Sequence, residues 1–210
     1  SVELALLSAR RKIARVLGSC PRIGELHMTF GPGASTSIKK RDACPSNKMG
    51  KGFQCSMDLY ASGRLPELLR EFPHWLAAFE GPEYEADGYL CTSVPVDLHP
   101  GHLAFVPKNA KTYRSIVVEP VLNGVLQSGY GRAIANRLRR YGVDIRDQSR
   151  NAELAREGSL SGDDGLATLD LSSASDTISK ELVRYLLPPD WYEALAAART
   201  SVVVYNRVEY

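Results

Sequence analysis

Leu166-Ala167-Thr168-Leu169-Asp170-Leu171-Ser172-Ser173-Ala174-Ser175-Asp176-Thr177-Ile178-Ser179 and the Lys180–Pro189 segment that follows are the stretch around which this chain is organised. After the breaker cluster Ser161-Gly162-Asp163-Asp164-Gly165, the apolar run Leu166–Leu169 reads as a buried strand. Asp170 sits where that strand is about to end, and Ser172, Ser173, Ser175 and Asp176 are residues that cap helix N-termini. Ile178, Leu182, Val183, Tyr185 and Leu186 then recur at helical spacing until Pro188-Pro189 stops the helix. A carboxylate at the end of a buried strand is well placed to hold a hard divalent cation, which takes carboxylate and phosphate oxygens. Turn chemistry alone also puts Asp at many strand ends, so the pattern leaves both readings open.

Working outward, 210 residues suffice to bury one large core or two small ones. Apolar residues make up 44% and charged residues 24%, ordinary values for a globular protein. No apolar run approaches the roughly 20 residues needed to span a bilayer, and no secretion signal is visible. Cys20, Cys44, Cys55 and Cys91 have no zinc-like spacing and read as reduced thiols. Ser1 is not Met and Tyr210 falls inside an apolar run, so the sequence reads as cut at both ends.

The net charge of +2 argues for no partner, but its distribution does. Residues 108–140 carry seven basic side chains against Glu119 alone, a local +6, and residues 36–51 carry five against Asp42, a local +4. Residues 67–97 oppose them with seven acids against Arg70. Basic blocks of this density suit a phosphate-rich partner, although most basic runs are solvated faces.

Along the chain, Val2–Leu17 is predicted as an amphipathic helix with Leu4, Leu7, Ile13, Ala14 and Leu17 on one face and Gly18 as its stop. Phe30–Ser37 is a glycine- and hydroxyl-rich loop followed by Lys39-Lys40-Arg41. It lacks the GxxxxGK[ST] pattern and reads first as a flexible connection, with phosphate cradling as the alternative. Leu65–Phe79 suggests one or two helices broken by Pro66 and Pro73, and Glu80–Gly88 an acidic loop. His99-Pro100-Gly101-His102 reads as a turn rather than a metal site, since no third ligand is evident.

Phe105-Val106-Pro107-Lys108-Asn109-Ala110-Lys111-Thr112-Tyr113-Arg114-Ser115-Ile116-Val117-Val118 is the second informative stretch. A strand enters a short basic loop and a β-branched strand leaves it, so Lys108, Lys111 and Arg114 share one hairpin-like excursion. Three such cations can neutralise a triphosphate and the charge that develops on a leaving pyrophosphate. A long helix is predicted from Val121 to Tyr141, a short one around Ala152–Arg156, another after Asp190, and a strand over Ser201–Tyr205.

The wording of Asp170–Ser179 resembles polymerase motif A of the replicases of levivirus-type RNA bacteriophages. Phe105–Pro120 resembles their motif F, and the order of elements over residues 103–199 is that of the family. Ala9-Arg10-Arg11-Lys12-Ile13-Ala14-Arg15 resembles a helix of their fingers region. The resemblance implies an α+β fragment of a right-hand RNA-directed RNA polymerase, with fingers over residues 1–159 and the start of a palm with an antiparallel sheet over 160–210. It further implies two Mg²⁺ ions in the complete active site, with Asp170 as the catalytic carboxylate and metal ligand and the Leu171 carbonyl beside it. Lys108, Lys111 and Arg114 would hold the nucleotide, and Asp176 would contact the ribose. Asp170 and Asp176 have five residues between them, where other viral polymerases commonly have four, so helix capping by Asp176 stays open. Motifs B and C, the latter a Gly-Asp-Asp hairpin, do not occur, so the fragment alone is expected to be inactive.

Partners implied by the resemblance are RNA template and product, nucleoside triphosphates and host elongation factors Tu and Ts, in the bacterial cytoplasm and away from membranes. The alternative is a non-catalytic RNA-binding protein that uses the same basic surfaces.

Overall fold

A computed structural model of the chain describes residues 1–160, 165–167, 169, 171, 172, 174 and 176–210. In chain order its elements begin with α1 (Val2–Leu17), α2 (Pro45–Met49), β1 (Phe53–Cys55), α3 (Met57–Ala61), α4 (Leu65–Arg70) and α5 (Pro73–Ala77). Next come the strands β2 (Glu83–Ala86), β3 (Tyr89–Thr92), β4 (Val96–Leu98), β5 (Gly101–Pro107) and β6 (Tyr113–Val118). Then follow α6 (Val121–Arg140), α7 (Ser149–Leu160), α8 (Lys180–Leu186), α9 (Pro189–Ala198), β7 (Val203–Tyr205) and β8 (Val208–Glu209). Helix and strand are mixed, which agrees with the α+β class.

Two compact units divide the chain: residues 1–20 with 133–192, and residues 21–132 with 193–210.

In the first unit α1 forms where its apolar spacing predicts. The Ser1 hydroxyl caps it by accepting from Leu4 N, and the Gly18 N–H bonds to the Ala14 carbonyl at its end. Leu17 is buried, whereas Leu4 at the other end of the predicted face is 67% exposed. Trp191 is wholly buried, and its indole N–H donates to the Gly18 carbonyl at 2.9 Å. Arg10 lies over the Tyr185 ring at 5.5 Å, joining α1 to α8. The cap of α8 is Ser179, whose hydroxyl accepts from Leu182 N at 3.1 Å. Ser172 and Asp176 therefore precede the cap, and Ser173 and Ser175 lie outside the described residues.

Among the described residues the expected buried strand before that helix is not found. Leu166, Ala167 and Leu169 belong to no strand, and Leu166 and Leu169 are 53% and 86% exposed. A strand needs a neighbouring edge for its N–H and C=O groups and a face to cover its side chains. No described strand offers Leu166, Ala167 or Leu169 that edge. The preceding helix is also longer than predicted: α7 takes in the whole of Ser149–Leu160, including Gly158.

In the second unit residues 121–132 of α6 carry the core. Val121, Leu122, Val125, Leu126 and Tyr130 are buried at helical spacing, each at most 4% exposed. Gly129 lets this helix approach the chain before the glycine-rich loop: a Cβ there would lie 2.7 Å from Met28 Cγ and 3.0 Å from Leu26 Cβ. Asn123, also fully buried, is completely hydrogen-bonded. Its Oδ1 accepts from Ser56 N at 2.8 Å, and its Nδ2 donates to Ser56 Oγ at 2.7 Å and the Ala198 carbonyl at 3.1 Å. Phe30, Phe53, Phe72, Trp75 and Phe79 form a tilted aromatic cluster with neighbouring ring centroids 4.6–5.9 Å apart.

Two helices form in the Leu65–Phe79 stretch, but Pro66 and Pro73 stand in the first turns of α4 and α5, where a missing N–H costs nothing, so they open these helices rather than break them. The acidic loop expected over Glu80–Gly88 is instead half a hairpin. β2 pairs antiparallel with β3 through Asp87 and Gly88, whose φ angles of 47° and 75° suit a type I′ turn. A four-stranded sheet has the order β6-β5-β7-β8, with β5 antiparallel to β6 and parallel to β7. β1 and β4 pair in parallel.

Candidate nucleotide- and RNA-binding site

The basic hairpin forms as its sequence predicts. Across β5 and β6 Val106 faces Arg114 and Pro107 faces Tyr113, so Lys108–Thr112 make the connection. Asn109 organises it: its Oδ1 accepts from Lys111 N at 2.9 Å, from Thr112 N at 2.8 Å and from Thr112 Oγ1 at 2.8 Å. Lys108 N donates to the Thr112 carbonyl at 2.9 Å. A short side chain thus fixes the backbone that carries two cations, and Lys108, Lys111 and Arg114 are all exposed. Among the described residues none of the three has a carboxylate within 4.0 Å.

Glu119, the lone acid of that basic block, does not neutralise them. Both its carboxylate oxygens face Thr200, accepting from its N–H and its hydroxyl, while its carbonyl accepts from Thr36 N at 3.2 Å.

The structure brings a second sequence feature to the same sheet face. Cross-strand partners share a face, so Arg114 lies on the side of Val106 and Ile116. Val106 and Ile116 line a cavity of about 550 Å³ whose opposite wall is the glycine-rich loop, with Lys40 and Lys48. The loop is not the flexible connection expected from composition. Lys48, 5% exposed, donates from Nζ to the Gly31 carbonyl at 2.5 Å and the Gly33 carbonyl at 2.7 Å. Ser35 and Ile38 exchange backbone hydrogen bonds at 3.0 and 3.1 Å, and Thr36 Oγ1 bonds His99 Nδ1 at 2.9 Å. Burial pushes the Lys48 pKa below its ordinary value. This lysine acts inside the fold and is not free for a phosphate. Nothing in its position within the run 36–51 distinguishes it from the exposed Lys39, Lys40 and Lys51, so the sequence does not mark it.

Asp170, the expected metal ligand, lies outside the described residues. Leu171 and Asp176 are both exposed, and since Ser179 caps α8, the capping role held open for Asp176 falls to Ser179. Hairpin and glycine-rich loop belong to the second unit, Leu171 and Asp176 to the first.

Residues 1–207 match the family described as RNA replicase, beta-chain. The chain is similar to the RNA-directed RNA polymerase subunit beta of Enterobacteria phage SP, at 36% identity over 98% of this chain and 34% of that protein. It is similar to the protein of the same name from Escherichia virus Qbeta, at 35% identity over 98% of this chain and 33% of that protein. A 95-residue segment is 50% identical to the RNA-directed RNA polymerase beta chain of Escherichia phage MS2, over 45% of this chain and 17% of that protein. The chain thus spans about a third of the length of the first two relatives.

Proposed function

Because the chain belongs to the RNA replicase beta-chain family, we propose that it is the fingers region and the beginning of the palm of an RNA-directed RNA polymerase that replicates a phage genome. The reaction is template-directed attack of an RNA 3′-hydroxyl on the α-phosphate of an incoming nucleoside triphosphate. The observation that carries this reading is the basic hairpin, where Asn109 holds the turn and three cations stand exposed without carboxylate partners among the described residues.

Each group then has a task. Lys108, Lys111 and Arg114 bind the triphosphate and offset the charge that builds on pyrophosphate as it departs. Asp176, which is exposed, contacts the ribose 2′-hydroxyl. Asp170 and the Leu171 carbonyl are oxygen donors of the kind Mg²⁺ prefers, and they would hold it together with carboxylates from the rest of such an enzyme. When bound, the metal ions stabilise charge on the attacking and leaving oxygens. The assignment of Asp170 rests on its place in the Asp170–Ser179 motif.

The test is incorporation of labelled nucleotides on a defined template by a full-length replicase carrying this sequence. Template-dependent product is expected; RNA binding with no incorporation under any divalent cation would favour the non-catalytic alternative.

A further inference from the structure

The function proposed above gives no role to four basic residues of α1: Arg10, Arg11, Lys12 and Arg15. One of them helps to form a distinct site within the first unit. An open cavity of about 510 Å³ is lined by Arg15 and Gly18 at the end of α1 and by Arg137, Arg140 and Tyr141 at the end of α6. Three arginines therefore line one cavity. Among the described residues none of them has a carboxylate within 4.0 Å.

The local hydrogen bonding leaves these cations unused. Two carbonyls at the end of α1 already have donors: the Tyr141 hydroxyl bonds the Arg15 carbonyl at 3.2 Å, and the Trp191 indole N–H bonds that of Gly18. The Arg137 guanidinium carbon lies over the Trp191 ring, 5.0 Å from its centre, a cation–π contact that anchors this side chain. Its Nη1 is buried and has no hydrogen-bond partner among the described residues. A buried donor without a partner is costly, and three like charges around one space repel each other. Both costs fall when an anion with several acceptor oxygens enters. Planar forks that donate two parallel hydrogen bonds match a phosphate, and here every cation lining the cavity is an arginine.

We propose that this arginine pocket binds a phosphate group of an RNA strand, at a point separate from the basic hairpin. The proposal rests on the polymerase reading only for the identity of the phosphate carrier. A free nucleotide offers the same chemistry, and competition separates the two sources.

The test uses a full-length replicase carrying this sequence and its Arg15→Gln/Arg140→Gln double variant. Both side chains are exposed, and Arg137 is left on Trp191 so that packing is kept. Fluorescence anisotropy with a short labelled RNA is followed across a salt series. The double variant is expected to bind at least about fivefold more weakly at low salt. Its slope of log affinity against log salt should be shallower by about 0.7 for each phosphate it no longer neutralises. Millimolar GTP that displaces RNA from the wild type but not from the variant would identify free nucleotide as the source; failure to displace identifies the RNA backbone. Unchanged affinity and slope overturn the proposal, as does polyglutamate competing as well as RNA, which would mark a site for acidic protein. Absence of incorporation in the wild type would defeat the polymerase reading and leave the binding result standing.

Discussion

Lys48 Nζ lies 2.7 Å from the carbonyl oxygen of Gly33, with the Gly31 carbonyl as its second acceptor. One buried cation therefore closes the glycine-rich loop from within, and the loop's carbonyls turn toward the lysine. Lys48→Met keeps much of the stem and removes the ammonium, leaving both carbonyls without that partner. Hydrogen exchange in residues 31–37 is expected to accelerate clearly. Global stability should change by no more than about 1–2 kcal/mol, because losing the bonds is partly offset by no longer burying a charge. Equal protection of those amides in wild type and variant would show that the loop is held by its other contacts.

How much of this was legible follows from the range of the interactions. α1, the hairpin of β5 and β6, and α6 rest on local signals: apolar spacing, β-branched runs, Gly18 and Gly142 as stops. The hairpin of β2 and β3 carried an equally local signal in Asp87-Gly88, which the surrounding acids obscured. The parallel pairing of Phe53 with Val96 joins three-residue strands far apart in sequence, and no periodicity in so short a strand reports it. The meeting of the glycine-rich loop with Val106 and Ile116 is likewise non-local, so loop and hairpin read as separate features. Leu166–Leu169 looked like a buried strand because apolar composition reports what a segment needs, not whether a partner edge is at hand.

The cysteines should react in a definite order. Cys44 is exposed, and hydrogen bonds from the Ser46 hydroxyl and then the Asn47 backbone hold its thiol below the ordinary value. Cys55 is buried, and burial pushes its pKa up to about 11. Iodoacetamide near neutral pH is expected to label Cys44 first and Cys55 only after unfolding, as peptide mass mapping would show. Since the Cys55 pKa is raised on folding from 9.0 to about 11, its contribution to stability is complete below pH 9 and is lost as pH rises through 11. Rapid labelling of native Cys55 would contradict its burial in β1.

Lys108→Ala, Lys111→Ala and Arg114→Ala, made singly in a full-length replicase, should each raise the KM for nucleotides by several-fold, up to about tenfold. An exposed basic hairpin with no ligand would lose almost nothing on such truncation, because solvated charges contribute little. Asn109→Ala is the complementary change. It leaves all three charges in place but removes the acceptor that orders the turn, so its effect should resemble that of the lysine variants. Steady-state titration of each nucleotide decides the matter; four variants with wild-type kinetics would remove the hairpin from the nucleotide path.

Asp170→Asn divides the two readings of Asp170 most sharply. Asn keeps the shape of the side chain and one oxygen, forms the same Asx-turns and tolerates the same backbone, so a turn former would survive the exchange with nearly full activity. A metal ligand would not, because the negative charge is what offsets the reluctance of Mg²⁺ to shed its water. Nucleotide addition by the full-length Asn variant is therefore expected to fall by orders of magnitude while RNA affinity stays within about twofold, since the proposed phosphate contacts are those of the basic surfaces. Asp176→Asn serves as the control within the same motif: Ser179 supplies the cap of α8, so loss of the Asp176 charge should leave the fold intact. Its effect should appear instead as weaker discrimination between ribo- and deoxyribonucleotides. Primer extension at matched RNA occupancy measures both variants. Near-wild-type extension by Asp170→Asn would end the metal assignment and return Asp170 to turn chemistry.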